Sequence, residues 1–127
     1  EMTADAESFA GNAQLIGIAV NLKNGINSLS TAAEWLLANY DSKPQAAAAG
    51  AVPFLKLTGI VVGGWLMAKS AAIAVKHIAA GTTDDFYTAK LATATYFAAH
   101  QLPFAAAYSA EITGGSESVF ALPENLF

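Results

Sequence analysis

The apolar residues of this chain recur at helical spacing nearly from end to end. That periodicity constrains the fold more than any other feature. Leu15, Ala19, Leu22, Ile26, Leu29, Ala33, Leu36 and Tyr40 follow one another at alternating steps of four and three. The same steps run through Gly50, Phe54, Leu57, Val61, Gly64, Ala68, Ala71, Val75 and Ile78. They run again through Tyr87, Leu91, Ala94, Ala98, Gln101, Ala105, Tyr108 and Ile112. Such steps keep residues on one side of a 3.6-residue helix and form the seam of a left-handed bundle. No stretch shows strand-like alternation bounded by turns. The sequence therefore predicts an all-α fold, an up-down antiparallel bundle of three long helices plus a short C-terminal fourth. An arm of about 35 residues would span roughly 50 Å.

Local signals set the expected boundaries. Thr3 is placed as the N-cap of the first helix, with Asp5 and Glu7 in a first turn where the helix dipole favours acids. Gly17 and Gly25 weaken that helix, which should stop near Asn39–Tyr40. Ser42 and Gln45 have capping-box spacing, and Pro44 suits a first turn. Pro53 then falls inside the second helix and should kink it. The alternative is that "AVP" begins the helix and "PQAAAAG" is a separate turn. A second apolar stripe, Leu55, Gly59, Val62, Leu66 and Ile73, implies that this helix is covered from several sides. Gly81 ends it. Thr82 with Asp85 then resembles a capping box, and Pro103 should kink the third helix before Gly114 and Gly115 stop it. Ser116 caps the expected fourth helix, which Pro123 ends.

The chain has 127 residues, enough for one domain with a real core. Its charge excludes some functions. All six basic residues are scattered lysines, there is no arginine, and the net charge is −4. Neutralising phosphates requires a clustered basic face, so nucleic-acid binding is not expected. With no cysteine there is no disulfide framework or thiolate site, which is compatible with the cytoplasm, where we expect the protein. The apolar run Leu57–Ala68 between Lys56 and Lys69 is short for a membrane span, and the acidic start "EMTADAESFA" does not read as a secretory signal. A membrane partner is not expected.

Candidate chemistry is thin. His77 and His100 lack a His or Glu partner at helical spacing, so no metal site is assigned. Asp84 and Asp85 are explained by a helix start. Lys90 among alanines reads as a lysine reaching to water rather than a Schiff-base lysine. The glycines of "GIVVGGW" lack a phosphate-loop pattern and read as packing positions that Trp65 or Trp35 could fill. No catalytic, cofactor-binding or metal residue follows. What is left over is apolar surface. Hydrophobic residues make up 54% of the chain and charged residues 13%, more than three thin helices can hide, and exposed apolar patches mark interfaces. Trp65, Phe86, Tyr87, Phe97 and Phe104 are the candidate packing or interface residues, with Tyr87 facing inward and Phe86 at its flank.

Several segments together carry a resemblance: "AVPFLKLTGIVVGGWLMAKSA", "DDFYTAKLATATYF", "QLP" and "GGSESVFALPENLF". In their order they resemble the extra C-terminal domain of one branch of the acyl-CoA dehydrogenases, the branch of 3-methylmercaptopropionyl-CoA dehydrogenase-like enzymes. The matching features are Ala51-Val52-Pro53 before an aromatic, Gly64-Trp65, Asp85-Phe86-Tyr87 followed by Lys90, Leu102-Pro103, and Ala121-Leu122-Pro123. The first forty residues match only in character. The resemblance implies a C-terminal module of a larger FAD-dependent oxidoreductase that acts on CoA thioesters. Flavin, substrate and catalytic glutamate would belong to preceding domains. None of Glu34, Glu111 or Glu117 is assigned as that base, and this segment alone is expected to be neither an enzyme nor a flavin binder. Its expected role is to pack on the catalytic domains of the parent chain and to support assembly of a homo-oligomer. Two alternatives follow from the residues. One is a carrier holding an acyl or other apolar ligand in a bundle cavity lined by Gly63, Gly64, Ala68, Ala71 and Ala72. The other is a peripheral membrane module.

Overall fold

A computed structural model describes residues 1–126, the side chain of Glu124 excepted. Six helices follow one another: α1 (Met2–Ala10), α2 (Ile16–Asn39), α3 (Pro44–Ala49), α4 (Ala51–Ala79), α5 (Asp85–His100) and α6 (Phe104–Thr113). A short 3-10 turn occupies Glu124–Leu126, and no strand occurs among the described residues. The chain is an all-α bundle. Its three arms are α2, α4 and the broken pair α5–α6, with α1 and α3 packed at the sides. The longest helix, α4, has 29 residues, about 44 Å at 1.5 Å per residue.

Three boundaries differ from the sequence reading. The first helix is not continuous. It starts at Met2, so Thr3 lies within it, and it breaks at Gly11–Leu15, while Gly17 and Gly25 lie inside α2. Asn12 explains the break: its Oδ1 accepts from the Gln14 N–H at 2.9 Å, which offers the backbone an alternative to the helix. The break folds α1 back onto α2 and α4. Second, the alternative reading holds for the start of α4, which begins with "AVP" at Ala51, while Pro44–Ala49 is a helix of its own rather than a turn and has no Ser42 cap. Pro53 thus sits in the first turn of α4, where its missing N–H would be unpaired anyway, so it causes no kink. Third, Ser116–Phe120 forms turns in which the N–H groups of Val119 and Phe120 both donate to the Ser116 carbonyl. One turn before Pro123 is too short to nucleate an α-helix. Phe127, the last residue of the expected fourth helix, lies outside the described residues.

Other signals hold. Asp84 caps α5, its Oδ1 accepting from the Phe86 N–H at 2.9 Å, with Asp85 in the first turn. The cap is Asp84 rather than Thr82. After α4, Gly81 takes φ +82°, and the N–H groups of Gly81 and Thr82 donate to the carbonyls of Ile78 and His77. That pairing is a Schellman motif, which only a residue tolerant of positive φ completes without strain. Pro103 separates α5 from α6.

The seam of α4 is the spine of the core. Leu57, Val61, Ala68 and Ala71 are fully buried, with Gly64 between them. At one end this seam meets Leu15, Ile18 and Leu22 of the α1–α2 region and Ala94, Ala98 and Leu102 of the α5 arm. At the other end it meets Ala32 of α2 and Ala105 and Ile112 of α6. The seam of α5–α6 survives its break, because Ala94, Ala98, Ala105 and Ile112 are all buried. On α2 the buried face passes through Gly25 and Ala32 instead of Ile26 and Ala33, and Tyr40 is exposed. The smaller residues take the positions of closest approach: a Cβ on Gly25 would lie 3.3 Å from both Leu102 and Val61.

Leu102 explains the glycines of "GIVVGGW". The break before Pro103 turns its side chain into the core, where a Cβ on Gly64 would come within 2.6 Å of it. Phe97 fills the space against Gly63. Neither tryptophan occupies these positions. The proposed cavity wall is therefore closed, since Ala68 and Ala71 are wholly buried and Leu102 and Phe97 fill what Gly64 and Gly63 leave open.

Candidate functional site

The residues with chemical potential are dispersed. Asp84 is engaged as a cap. The Lys90 ammonium lies 5.2 Å from the Phe86 ring centre. His77 stacks on Tyr87 with ring centres 4.2 Å apart, and His100 lies against Tyr96 at 4.6 Å. Glu34 accepts a hydrogen bond from Ser30 Oγ at 2.8 Å. Among the described residues no three His, Asp or Glu side chains gather in a way that could hold a metal. A polar cluster joins two elements. Trp65 Nε1 donates to Asp5 Oδ2 at 2.7 Å, and Lys69 Nζ lies 3.4 Å from Glu1 Oε1 and 4.6 Å from the Trp65 ring centre. This ties α1 to α4, and a hydrogen bond to a charged group contributes about 1.5–3 kcal/mol.

The five aromatic candidates divide. Trp65 is half-buried against α1, Tyr87 half-buried on His77, and Phe97 half-buried against the core. Phe86 and Phe104 are exposed. The structure does not bring the five together.

What it does assemble is apolar surface in two adjoining places. The first is the outer side of α4. Successive helical residues turn by about 100°, so Val52, Leu55, Gly59, Val62, Leu66 and Ile73 lie opposite the buried seam. Val52, Leu55, Leu66 and Ile73 are 62%, 73%, 53% and 56% exposed. The sequence shows this stripe, and within the single chain it stands open rather than covered from several sides. α1, α2, α5 and α6 all pack on the seam side and flanks of α4. By length and composition α4 could also cross a membrane, because the helix runs on through Lys56 and Lys69.

The second place is a groove of about 1010 Å³ where the end of α2 meets α3 and the start of α4. Leu36, Leu37, Tyr40, Pro44, Phe54 and Leu55 are its main walls. Leu37 is 81% exposed. Asp41 is the one charged residue among its lining. Its lining offers no cation to pair an acyl carboxylate, and Asp41 would oppose one. Sequence reasoning missed Leu37. The available signal was its place directly beside the seam residue Leu36 near the end of a helix.

Among the described residues the structure leaves apolar faces open. Comparison with known proteins identifies the family. Over 115 residues, 91% of this chain, the sequence is 35% identical to the 3-methylmercaptopropionyl-CoA dehydrogenase of Ruegeria pomeroyi, of which the match covers 20%. Over 57 residues, 42% of this chain, it is 44% identical to the broad-specificity linear acyl-CoA dehydrogenase FadE5 of Mycobacterium tuberculosis, of which the match covers 9%. The chain thus spans at most about a fifth of the length of these relatives. Residues 1–123 match the family described as acetyl-CoA dehydrogenase C-terminal like, and the chain belongs to that family.

Proposed function

We propose that this chain is the non-catalytic C-terminal helical module of an FAD-dependent acyl-CoA dehydrogenase-like protein. In this reading it packs on the catalytic domains of the same parent chain and supports assembly of a homo-oligomer in the cytoplasm. Flavin and thioester chemistry reside in the other domains. The observation that carries the reading is the open apolar groove at Leu36, Leu37, Tyr40 and Leu55, on a chain that matches a fifth of a dehydrogenase. Covering such a surface removes apolar area from water at about 25 cal/mol per Å².

The test is made in a full-length protein carrying this segment. Leu37→Glu places a charge in the groove without touching the buried core. The expected result is a lower melting temperature and partial dissociation of the module on limited proteolysis, with the bound flavin spectrum retained. Unchanged melting and unchanged protease resistance would overturn the reading. The isolated segment is expected to show no flavin absorbance after incubation with FAD and gel filtration.

A further inference from the structure

The corner where the end of α4 meets the start of α5 holds a second, smaller hollow. Ser70, Ile73, Ala74, Phe86, Tyr87 and Lys90 enclose about 190 Å³ there. It is separate from the groove, since Ile73 lies about 27 Å along α4 from Leu55 at 1.5 Å per residue. Pockets for whole small molecules run to roughly 300–1,000 Å³, so this one has room for a single side chain. Its floor and walls are apolar, with Ala74 buried and Ile73 and Phe86 exposed at the rim. The rings brace one another: Tyr87 stacks on His77 at 4.2 Å, and Phe86 meets Tyr87 edge-on at 5.5 Å. Lys90 supplies the one charge of the lining. It sits one helical turn after Phe86, and its ammonium lies 5.2 Å from that ring centre. Among the described residues it makes no ion pair, the ion pairs found being those of Lys69. Asp84 is engaged as the α5 cap. Ser70 gives its hydroxyl proton to the Leu66 carbonyl at 3.0 Å, which leaves the ammonium as the charged donor. A phosphate calls for several donors or an arginine fork. One ammonium beside apolar walls instead matches one carboxylate carried on methylenes.

We infer that this hollow receives a Glu or Asp side chain from the catalytic domains of the parent protein, its stem against Ile73 and Phe86 and its carboxylate on Lys90. The Phe86 ring already holds the ammonium at the hollow, so less side-chain freedom is lost on pairing. The same ring shields the pair from water, which strengthens it beyond an open surface ion pair. The inference rests on the proposed packing of this module on the parent's other domains, and names a contact and a partner chemistry separate from the groove.

The test compares a full-length protein carrying this segment with the segment alone. Lysines are labelled with an amine-reactive ester and located by mass spectrometry. A water-soluble carbodiimide, which joins carboxylates and amines already in contact, is applied to the full-length protein in parallel. Lys90 should label several-fold more slowly in the full-length protein and couple there to a Glu or Asp outside residues 1–127. Lys90→Met should leave the melting of the isolated segment unchanged, because the ammonium pairs with no acid within it. In the full-length protein Lys90→Glu should open the α4–α5 corner to protease, while Lys90→Arg retains its protection. Equal labelling of Lys90 in both proteins, coupling to an acid of this module (its own or a second copy's), or protease resistance indifferent to Lys90→Glu would each overturn the inference. Such an outcome with the Leu37→Glu effect intact sinks this inference alone. Protection of Lys90 and coupling to an outside acid, with no Leu37→Glu effect, sinks the groove reading alone.

Discussion

The two apolar faces of α4 lie on opposite sides of one helix, share the same four-three spacing, and have opposite fates. One face, Leu57, Val61, Gly64, Ala68 and Ala71, is closed by α2, α5 and α6. The other, Leu55, Gly59, Leu66 and Ile73, is open. Composition does not distinguish them in the expected sense, since the open face carries the larger side chains. The buried face is the one with small residues at its centre. Small residues let helices approach closely, and the leucines that fill the core come from neighbours, Leu22 and Leu102. Burial in this protein follows from how near another backbone can come.

Substitutions two residues apart break the comparison most sharply. Leu57→Ala removes a fully buried side chain and should cost about 3 kcal/mol of folding stability. Leu55→Ala should stay within about 0.5 kcal/mol. Urea unfolding measures both. Equal costs would mean that the outer face is covered within one chain. Next in size is the cross-tie: Trp65→Phe deletes the hydrogen bond to Asp5 and should cost about 1–2 kcal/mol, with faster amide exchange confined to α1.

The glycines sharpen the contrast further. Gly64→Ala gains helix propensity but collides with buried Leu102, for a net loss of about 1 kcal/mol. Gly59→Ala meets nothing, so the monomer should gain about 0.5–1 kcal/mol. The smallest effect is expected at the α5 start. Asp84→Ala removes one cap hydrogen bond and should cost about 0.5–1 kcal/mol, read as a shift in the urea midpoint without a change in slope.

Much of this fold was legible because its signals are local. Asp84, Gly81, Pro103 and Gly114 mark helix ends through backbone requirements that hold in any surroundings. The α4 seam was readable position by position. The break at Gly11–Leu15 was not, because the apolar rhythm runs on past it and the competing hydrogen bond from Asn12 is a single weak cue. The groove was harder still. Leu37 and Tyr40 lie on α2, while Phe54 and Leu55 lie on α4. Nothing in either segment alone states that they share a wall.

By itself the sequence determined that the chain is helical, most of its helix ends, and which residues share each face. Periodicity fixes angles around a helix axis. It does not say which of two apolar faces a neighbour will cover, because both satisfy the same spacing. Only the tertiary structure decided that. Leu102, swung inward at the α5–α6 break, fits against Gly64 and Gly25. This contact turns the small-residue face of α4 into the core and leaves the leucine face to solvent.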